Sequence, residues 1–221
     1  MEIMEKETLK RIFDFLEKKE NKKHKDRDNF IWKLKFNEPL TKDDLVVKGN
    51  LDLENTKITS LPKGLEVGGS LNLYDSKIES LPEGFEIGEH LTLTYSNIKA
   101  LPKGLKVGKD LVLSYTSIKM LPEDLDVNGS IELIGSKIKF IPKGFVVYGY
   151  LDLTDTELTS LPKGLKVGEW LSLSGSKITS LPEGLEVGDD LLISWTTLTK
   201  YTDEELREMI KPGFIKGIIS R

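Results

Sequence analysis

Residues 51–62 read LDLENTKITSLP, and the equivalent stretches 71–82 and 91–102 read LNLYDSKIESLP and LTLTYSNIKALP. The pattern returns every 20 residues from residue 51 through residue 200, without insertion or deletion, which gives seven full repeats and half of an eighth. With Leu51 as position 1, positions 1, 3 and 8 hold Leu or Ile in all eight repeats, and position 12 holds Pro in the first seven. A half-repeat containing Leu45 and Val47 precedes the first full one. Each repeat is termed a coil below.

One such coil cannot fold alone. Its apolar residues contribute roughly 1.5–3 kcal/mol each when they are buried, whereas ordering roughly 20 residues costs about 20–40 kcal/mol of backbone conformational entropy. Stacked coils bury one another's apolar residues and share backbone hydrogen bonds, so stacking supplies the stabilisation that a single coil lacks. The sequence therefore predicts a solenoid, a chain wound into stacked coils of equal length.

The alternation Leu-x-Leu at positions 1 to 3 indicates a short strand in every coil. Strands stacked in register form one parallel sheet, in which the side chains of positions 1 and 3 face the core. Position 15 is Leu or Phe, and position 17 is Val or Ile. A second strand at positions 15 to 17 gives the alternative fold, a two-sheet β-solenoid.

Small and polar residues recur at three further positions. Position 6 is Ser or Thr in all eight coils, so we expect a ladder of hydroxyls that satisfies backbone groups in successive turns. Position 14 is Gly except for Asp124, and position 18 is Gly except for Asn128 and Tyr148. Because Gly, Asn and Asp tolerate a positive φ, left-handed backbone is expected at both positions, with Tyr148 as the exception.

The pattern Leu-x-Leu-x-x-(Ser/Thr)-x-Ile-x-x-Leu-Pro resembles the leucine-rich repeat, and in particular short bacterial-type repeats of 20 residues, over residues 45–200. Two features depart from that family. Ser or Thr at position 6 replaces the usual Asn ladder, and the apolar residue before position 1 lies four residues before it instead of three. The resemblance implies a right-handed stack of coils with one parallel sheet. It also implies protein binding on the strand-lined face and no catalysis.

Both ends of the chain lack the repeat. We expect residues 1–44 to form an N-terminal helix and capping segment, residues 45–200 the solenoid, and residues 201–221 a C-terminal helical cap. α-Helical caps at both ends would cover the exposed edges of the terminal coils. Docking of a partner is the alternative role for the N-terminal helix.

Local patterns support these end assignments. Leu9, Ile12, Phe13 and Leu16 follow the i, i+3, i+4, i+7 spacing of an amphipathic helix within residues 2–20. Residues 30–36 (FIWKLKF) indicate a strand or capping segment. Thr202 and Glu205 form a capping box that opens a helix running through about Ile210, ahead of Pro212.

Composition excludes several classes of function. The chain has no Cys and two His, so disulfides and thiolate chemistry are excluded, and we expect neither an enzyme nor a metal or cofactor site. No apolar run reaches about 18 residues, so no membrane-spanning helix is expected. A net charge of −4 does not favour nucleic acid as a partner of the whole molecule. We expect a cytoplasmic protein of bacterial or phage type, with an effector exported without a cleavable signal as the alternative.

The outward positions of the predicted sheet carry a second pattern. Positions 20, 2, 4 and 5 lie beside the inward-facing Leu residues, and this surface is termed the strand face. No Lys or Arg occupies any of its 32 places. Its eight acidic residues are Asp52, Glu54, Asp75, Asp110, Glu132, Asp152, Asp155 and Asp190. Its six aromatic residues are Tyr74, Tyr95, Tyr115, Tyr150, Trp170 and Trp195.

Exposed Tyr and Trp side chains are typical anchors of protein interfaces, and an acidic surround selects a basic partner. We therefore expect a monomeric, non-catalytic protein–protein interaction module that masks or inhibits a protein with a basic patch. Carbohydrate binding is the alternative, because aromatic rings beside carboxylates also suit sugars. Membrane binding, and a nucleic-acid contact along the Lys-rich positions 7 and 9, are disfavoured. The candidate partner-binding residues are Tyr95, Tyr115, Glu132, Ile134, Tyr148, Tyr150, Asp152, Trp170 and Trp195.

The coil of residues 131–150 departs most from the consensus. Ile134, Phe140 and Val146 are apolar at positions that are polar or small in most other coils, and Tyr148 replaces Gly. Clustered exposed apolar residues predict an interaction site. A local repacking around the altered turn is the alternative interpretation.

Overall fold

The computed structural model of the protein describes residues 30–31, 33–34 and 38–221. The helix expected within residues 2–20 lies outside this range. The chain divides into two compact units, Met1–Val47 and Lys48–Arg221, and each is described by itself.

The unit Lys48–Arg221 is a β-solenoid of about seven turns with parallel sheets. The fold predicted from the 20-residue period is therefore confirmed. Each full coil contributes two strands, at positions 1–2 and 16–17, as in the two-sheet alternative. No helix of the described residues is long and apolar enough to cross a membrane.

The strands at positions 1–2 form one uninterrupted parallel sheet of nine strands, termed the main sheet. Register follows the repeat, since Ile131 lies opposite both Leu111 and Leu151. Side chains at positions 1 and 3 are buried in every coil, because the strand alternation turns both toward the core. The nine strands are Leu51–Asp52, Leu71–Asn72, Leu91–Thr92, Leu111–Val112, Ile131–Glu132, Leu151–Asp152, Leu171–Ser172, Leu191–Leu192 and Ile219–Ser220.

The strands at positions 16–17, termed side strands, form two separate parallel sheets. The first contains Glu66–Val67, Glu86–Ile87, Lys106–Val107 and Asp126–Val127. The second contains Val146–Val147, Lys166–Val167, Glu186–Val187 and Phe214–Ile215. The interruption therefore falls between Asp126–Val127 and Val146–Val147, in two coils whose main strands remain paired.

The hydroxyls at position 6 do not form the expected ladder between coils. The Thr hydroxyls at 56, 116, 156 and 196 donate instead to the carbonyl at position 3 of their own coil, at 2.7–2.8 Å. The four Ser hydroxyls at this position are buried without a hydrogen-bond partner among the described residues: Ser76, Ser96, Ser136 and Ser176. Each Thr hydroxyl therefore acts within one coil, and only Thr makes the bond.

Glycine recurs at positions 14 and 18 for two different reasons. At position 14 the expectation is correct, since six of these glycines have φ between 64° and 78°. At position 18 the expectation of positive φ is wrong. A Cβ added at Gly108 would overlap the carbonyl oxygen of Gly88 in the preceding coil, so glycine is needed there for close approach of the coils. The second left-handed position is position 5, which has positive φ in all eight coils.

The C-terminal segment continues the solenoid after an insertion. A 3₁₀ helix, Thr197–Lys200, leads into the α-helix Asp203–Met209, whose Thr202–Glu205 capping box is present as predicted. Phe214–Ile215 then extends the side strands, and Ile219–Ser220 extends the main sheet. One Arg207 guanidinium donates to the carbonyl oxygens of Ile215 and Gly217, the latter at 2.8 Å, on the last coil.

The described part of the first unit is short. Residues 30, 31, 33 and 34 have helical backbone, so the strand expectation for residues 30–36 is wrong at those four positions. A 3₁₀ helix Asp43–Leu45 and the strand Val46–Val47 follow. The Lys33 ammonium lies 2.6 Å from the Asp44 carboxylate. Hydrogen bonds from Lys33 and then from Thr41 lower the pKa of Asp44 to about 2.

Candidate functional site

The strand face is the outward surface of the main sheet and its two flanks. Positions 1 and 3 point into the core, so position 2 points outward between them, and positions 20, 4 and 5 flank it. Position 2 of most coils is half-buried beneath neighbouring side chains, whereas position 5 carries the more exposed residues of the face. Because the coils stack in register, residues that are 20 apart in sequence lie side by side.

Three tyrosines follow one another along the flank at positions 4 and 5. The rings of Tyr95 and Tyr115 are stacked, with centroids 4.8 Å apart and planes within 7° of parallel. Tyr74 meets Tyr95 edge-on at 5.7 Å. On the far side of Tyr115, a Cβ added at Gly135 would lie 2.6 Å from a ring atom, so that coil approaches the ring closely. We term these three tyrosines the tyrosine row.

The backbone of the tyrosine row is unusual for its residue type. Tyr95 and Tyr115 have φ of 58° and 57°, and Trp195 has φ of 60° at the equivalent position. Bulky residues seldom adopt positive φ, and each such residue costs about 1–3 kcal/mol. Aromatic residues in this conformation are held outward, about half exposed for Tyr95 and Tyr115 and 91% exposed for Trp195.

A second aromatic pair lies on the opposite flank, at position 20. The Tyr150 and Trp170 rings are stacked at 4.2 Å with planes within 6°. Burial, followed by the charges of Glu132, Asp110, Asp152 and Glu169, raises the pKa of the Tyr150 hydroxyl. These charges belong to the carboxylates that surround the ring. The pair and its carboxylates are termed the acidic aromatic site.

Polar side chains hold the carboxylates of this site. The Thr154 hydroxyl donates to Asp152 at 2.5 Å and lies 2.8 Å from the Ser172 hydroxyl. Ser114 donates to Glu132 at 2.5 Å. These neutral donors fix the positions of Asp152 and Glu132 without supplying a positive charge. The acidic aromatic site thus combines ordered negative charge with flat apolar rings.

The carboxylate at the edge of this site has a different partner. Asp110 accepts the backbone N–H of Ser130 at 2.8 Å through one oxygen. Its other oxygen lies 3.0 Å from Nδ1 of His90, the one titratable base among the 32 strand-face places. A backbone amide and an imidazole therefore hold the Asp110 carboxylate at this end of the site.

The nine predicted site residues divide into separate groups. Tyr150, Trp170, Glu132 and Asp152 come together in the acidic aromatic site. Tyr95 and Tyr115 come together in the tyrosine row. The remaining predicted residues are Ile134, which is half-buried on the strand face, Trp195, which has no ring contact within the described chain, and Tyr148, which lies among the side strands.

Sequence reasoning missed three members of these groups. Tyr74 joins the tyrosine row, and Asp110 and Glu169 join the acidic aromatic site. The repeat spacing contained the signal for the stacked pairs, because Tyr95 and Tyr115, like Tyr150 and Trp170, are 20 residues apart. Asn, Asp or Gly at position 5 of five coils was likewise a signal for left-handed backbone there.

Within the described residues, no group of three or more His, Asp or Glu side chains is placed to hold a metal ion. A scan against protein-family models finds no matching family, and no curated protein matches the chain at a significant level. The class of protein is therefore defined by its fold alone: a repeat protein whose coils form a parallel β-solenoid.

Proposed function

We propose that the protein is a non-catalytic interaction module that binds a basic segment of a partner protein on its strand face. The observation that carries this proposal is the acidic aromatic site, where the Tyr150–Trp170 stack lies near Glu132, Asp110 and Asp152 on a strand face free of Lys and Arg, with Glu169 beside that face. A partner bound there would have its basic patch covered, which is how such binding would inhibit it.

The chemistry of the site suits Arg and Lys side chains. A cation over a Tyr or Trp ring gains about 0.5–2 kcal/mol, and an Arg–carboxylate pair adds two charge-assisted hydrogen bonds. The Tyr150 and Trp170 rings are already stacked, and Asp152 is already hydrogen-bonded to Thr154. Little side-chain entropy is then lost on binding, which raises affinity for a given set of contacts.

A capture experiment tests the proposal. Tagged parent protein and a Tyr150→Ala/Trp170→Ala variant are compared for proteins retained from extract, and the captured partner is then purified and titrated. We expect the double variant to bind at least about 100-fold more weakly, because two interface anchors are lost. Met120→Ala is the matched control, since Met120 is exposed but lies at position 10, off the strand face. Equal affinity of parent and double variant for the purified partner would refute the proposal.

The contribution of the carboxylates to binding can be measured separately. Glu132→Gln/Asp152→Asn removes two carboxylates with little change in shape, so we expect slower association and a weaker dependence on salt. A partner whose contact surface is acidic, or an association rate unchanged by this substitution, would contradict the electrostatic part of the proposal.

Carbohydrate binding is the second candidate, favoured by one observation. Trp195 is 91% exposed and offers a broad indole surface of the kind on which a sugar ring stacks. The tyrosine row suits this role less, since Tyr115 has Tyr95 on one side and Gly135 close on the other. A glycan array probed with parent and Trp195→Ala protein decides between protein binding and carbohydrate binding. If the protein binds sugar through Trp195, the parent gives a signal that the variant lacks.

A further inference from the structure

The interruption between the side strands leaves two strand edges facing each other. In most neighbouring coils, position 16 and 18 amides donate to position 15 and 17 carbonyls of the coil before, as Lys106 and Gly108 do to Phe85 and Ile87 at 2.9 Å. Across the interruption these bonds are missing among the described residues. The amides of Val146 and Tyr148 have no backbone acceptor there, and the carbonyls of Leu125 and Val127 have no backbone donor.

A cleft of about 480 Å³ occupies this gap. Its two walls, Asp126–Val127 and Val146–Val147, are not paired with each other, whereas adjacent side strands elsewhere in this unit are paired. At the neighbouring flank the two coils remain joined, since the Gly149 amide donates to the Gly129 carbonyl at 3.1 Å. The cleft is therefore a wedge that opens on the side strands and closes toward the main sheet.

Departures from the repeat lie at the wedge, and one of them, Tyr148, lines it. Tyr148 stands where most coils require glycine for close approach, and it is 64% exposed. Asn128 in the preceding coil is still accommodated, with its amide 3.0 Å from the Val107 carbonyl. Asp124 replaces the position 14 glycine and directs its carboxylate to the Gly104 amide at 2.9 Å. Three departures from the repeat thus coincide with one opening.

We propose that this cleft binds an extended peptide segment of a partner protein, which adds to the side strands as a parallel strand. Only an extended backbone presents N–H and C=O groups at the spacing needed to pair with both walls at once. Such a segment donates to the carbonyls of Leu125 and Val127 and accepts from the amides of Val146 and Tyr148. This site is separate from the strand face, so it does not rest on the function proposed above.

The walls also specify side chains of the bound segment. A bound residue level with Val127 and Val147 faces the same side as these two buried apolar side chains, so Val or Ile matches its neighbours there. The preceding residue points outward beside Asp126. At the same position in other coils, Lys106 pairs with Glu86 at 2.6 Å and Lys166 pairs with Glu186 at 2.9 Å. The favoured segment therefore has Lys or Arg followed by a β-branched residue.

The chain itself supplies a matched pair of probes. Residues 102–108 and 162–168 both read PKGLKVG, with Lys and Val in the required order. Residues 182–188 read PEGLEVG, which keeps the apolar residues and exchanges each Lys for Glu. Synthetic, end-blocked peptides of these two sequences differ only at the charged positions, so they test backbone insertion and charge preference together.

Amide-resolved NMR of the full chain, with and without peptide, tests the proposal. In free protein the Val146 and Tyr148 amides should exchange faster with solvent than the Lys166 and Gly168 amides, which donate to carbonyls at 3.0 and 2.8 Å. Added PKGLKVG should slow exchange at Val146 and Tyr148, and PEGLEVG should bind about tenfold more weakly. Asp126→Lys should reverse the preference between the peptides, and Lys at position 16 of other coils makes this change compatible with folding.

Four outcomes would overturn the proposal. Protection of both amides in dilute free protein would mean that the cleft is closed. Protection that develops with protein concentration, together with dimers in sedimentation, would make a second copy the occupant. If millimolar PKGLKVG leaves amide exchange at Val146 and Tyr148 unchanged, a basic extended segment does not bind in the cleft. The same conclusion follows if PKGLKVG and PEGLEVG bind equally well to the parent and show no change of preference with Asp126→Lys protein.

Discussion

The side strands end at two places in Lys48–Arg221, and the two ends differ in how they are covered. At the C-terminal end, the last strand Phe214–Ile215 has its outward carbonyl covered by Arg207, which also binds the Gly217 carbonyl. At the internal interruption, the last strand before the gap is Asp126–Val127, and the Val127 carbonyl has no donor in the described chain. The same kind of edge is thus closed by a dedicated side chain in one place and left open in the other.

The difference concerns whether a strand edge is covered, which protects the folded chain, or open, which leaves backbone groups available for binding. An open strand edge promotes unwanted pairing between chains, so proteins commonly cover it. The helix Asp203–Met209 does this for the C-terminal edge by placing Arg207 over it. Within the described residues, no comparable cover is present at the internal gap. The two coils there would need only glycine at positions 14 and 18, as in most other coils, for their side strands to pair. Four changes to the chain test this contrast.

The largest effect is expected from opening a second gap. Gly108→Tyr places a side chain where a Cβ would overlap the Gly88 carbonyl oxygen, and it would disrupt the two bonds from Lys106 and Gly108. Overpacking and the lost hydrogen bonds together should lower the free energy of unfolding by about 3–5 kcal/mol. Chemical denaturation followed by circular dichroism measures the change.

A matched control separates close approach from a general loss of glycine. Gly49 has no heavy atom within 4 Å of an added Cβ, so Gly49→Tyr should change the free energy of unfolding by less than about 1 kcal/mol. Similar losses in the two variants would show that contact between position 18 residues does not hold the coils together.

The second effect concerns the closed end. Arg207→Ala leaves the Ile215 and Gly217 carbonyls without their donor and exposes the edge of the last coil. We expect the free energy of unfolding to fall by about 2–3 kcal/mol, since hydrogen bonds from a charged donor are lost, and we expect concentration-dependent association. Denaturation and sedimentation velocity measure the two consequences.

Lys211→Ala is the control for Arg207, because the Lys211 ammonium pairs with the exposed Glu208 carboxylate, at 2.7 Å. It should leave both stability and monomeric state nearly unchanged. If Arg207→Ala behaves like this control, the guanidinium does not protect the edge, and the contrast with the internal gap loses its basis.

The sequence predicts the regular part of this molecule because one rule governs it. Leu111, Ile131 and their equivalents are buried in register since each coil has the same length. The same rule places Tyr150 on Trp170. A fixed period specifies which residues become neighbours, so both the core and the Tyr150–Trp170 stack follow from it.

The gap could not be derived, because it depends on distances between coils rather than on the period. Tyr148 and Asp124 were visible as exceptions, but Asn128 is an exception at the same position as Tyr148 and is accommodated without loss of its bond. Whether a Cβ is tolerated depends on a small shift of the preceding coil. Residue type alone does not encode that shift.

The third change closes the internal gap. Asp124→Gly/Asn128→Gly/Tyr148→Gly restores the residues that most coils carry at positions 14 and 18. We expect two new backbone hydrogen bonds, from the amides of residues 146 and 148 to the carbonyls of Leu125 and Val127, and a gain of about 1–2 kcal/mol in the free energy of unfolding. Amide exchange at these two positions should slow to the rates of Lys166 and Gly168.

This variant also links stability to binding. A chain that becomes more stable and at the same time stops binding PKGLKVG would establish that the open gap is kept at the expense of stability. A variant that is less stable than the parent, with both amides still exchanging rapidly, would show that the three residues do not cause the interruption.

The smallest effect is expected at a single buried hydroxyl, where satisfied and unsatisfied polar groups again occur at equivalent positions. The Thr156 hydroxyl donates to the Leu153 carbonyl at 2.8 Å and the Thr196 hydroxyl to the Ile193 carbonyl at 2.7 Å, whereas the Ser176 hydroxyl between them has no partner in the described part of the chain. Ser176→Thr should form the equivalent bond to Leu173 and raise the free energy of unfolding by about 0.5–1.5 kcal/mol. Because Thr occupies this position in both adjacent coils, the added methyl group fits the stack.

Ser176→Val isolates the hydrogen bond, since Val has the shape of Thr without its hydroxyl. Thermal or chemical denaturation should show the Thr variant to be more stable than the Val variant. Thr156→Ser should lower the free energy of unfolding by about as much as Ser176→Thr raises it. If Val stabilises the chain as much as Thr does, the gain comes from the methyl group, and the Thr hydroxyls at position 6 contribute nothing beyond packing. In that case an unsatisfied buried hydroxyl costs this solenoid little, and the Arg207 cover would owe its value to preventing association rather than to satisfying carbonyls.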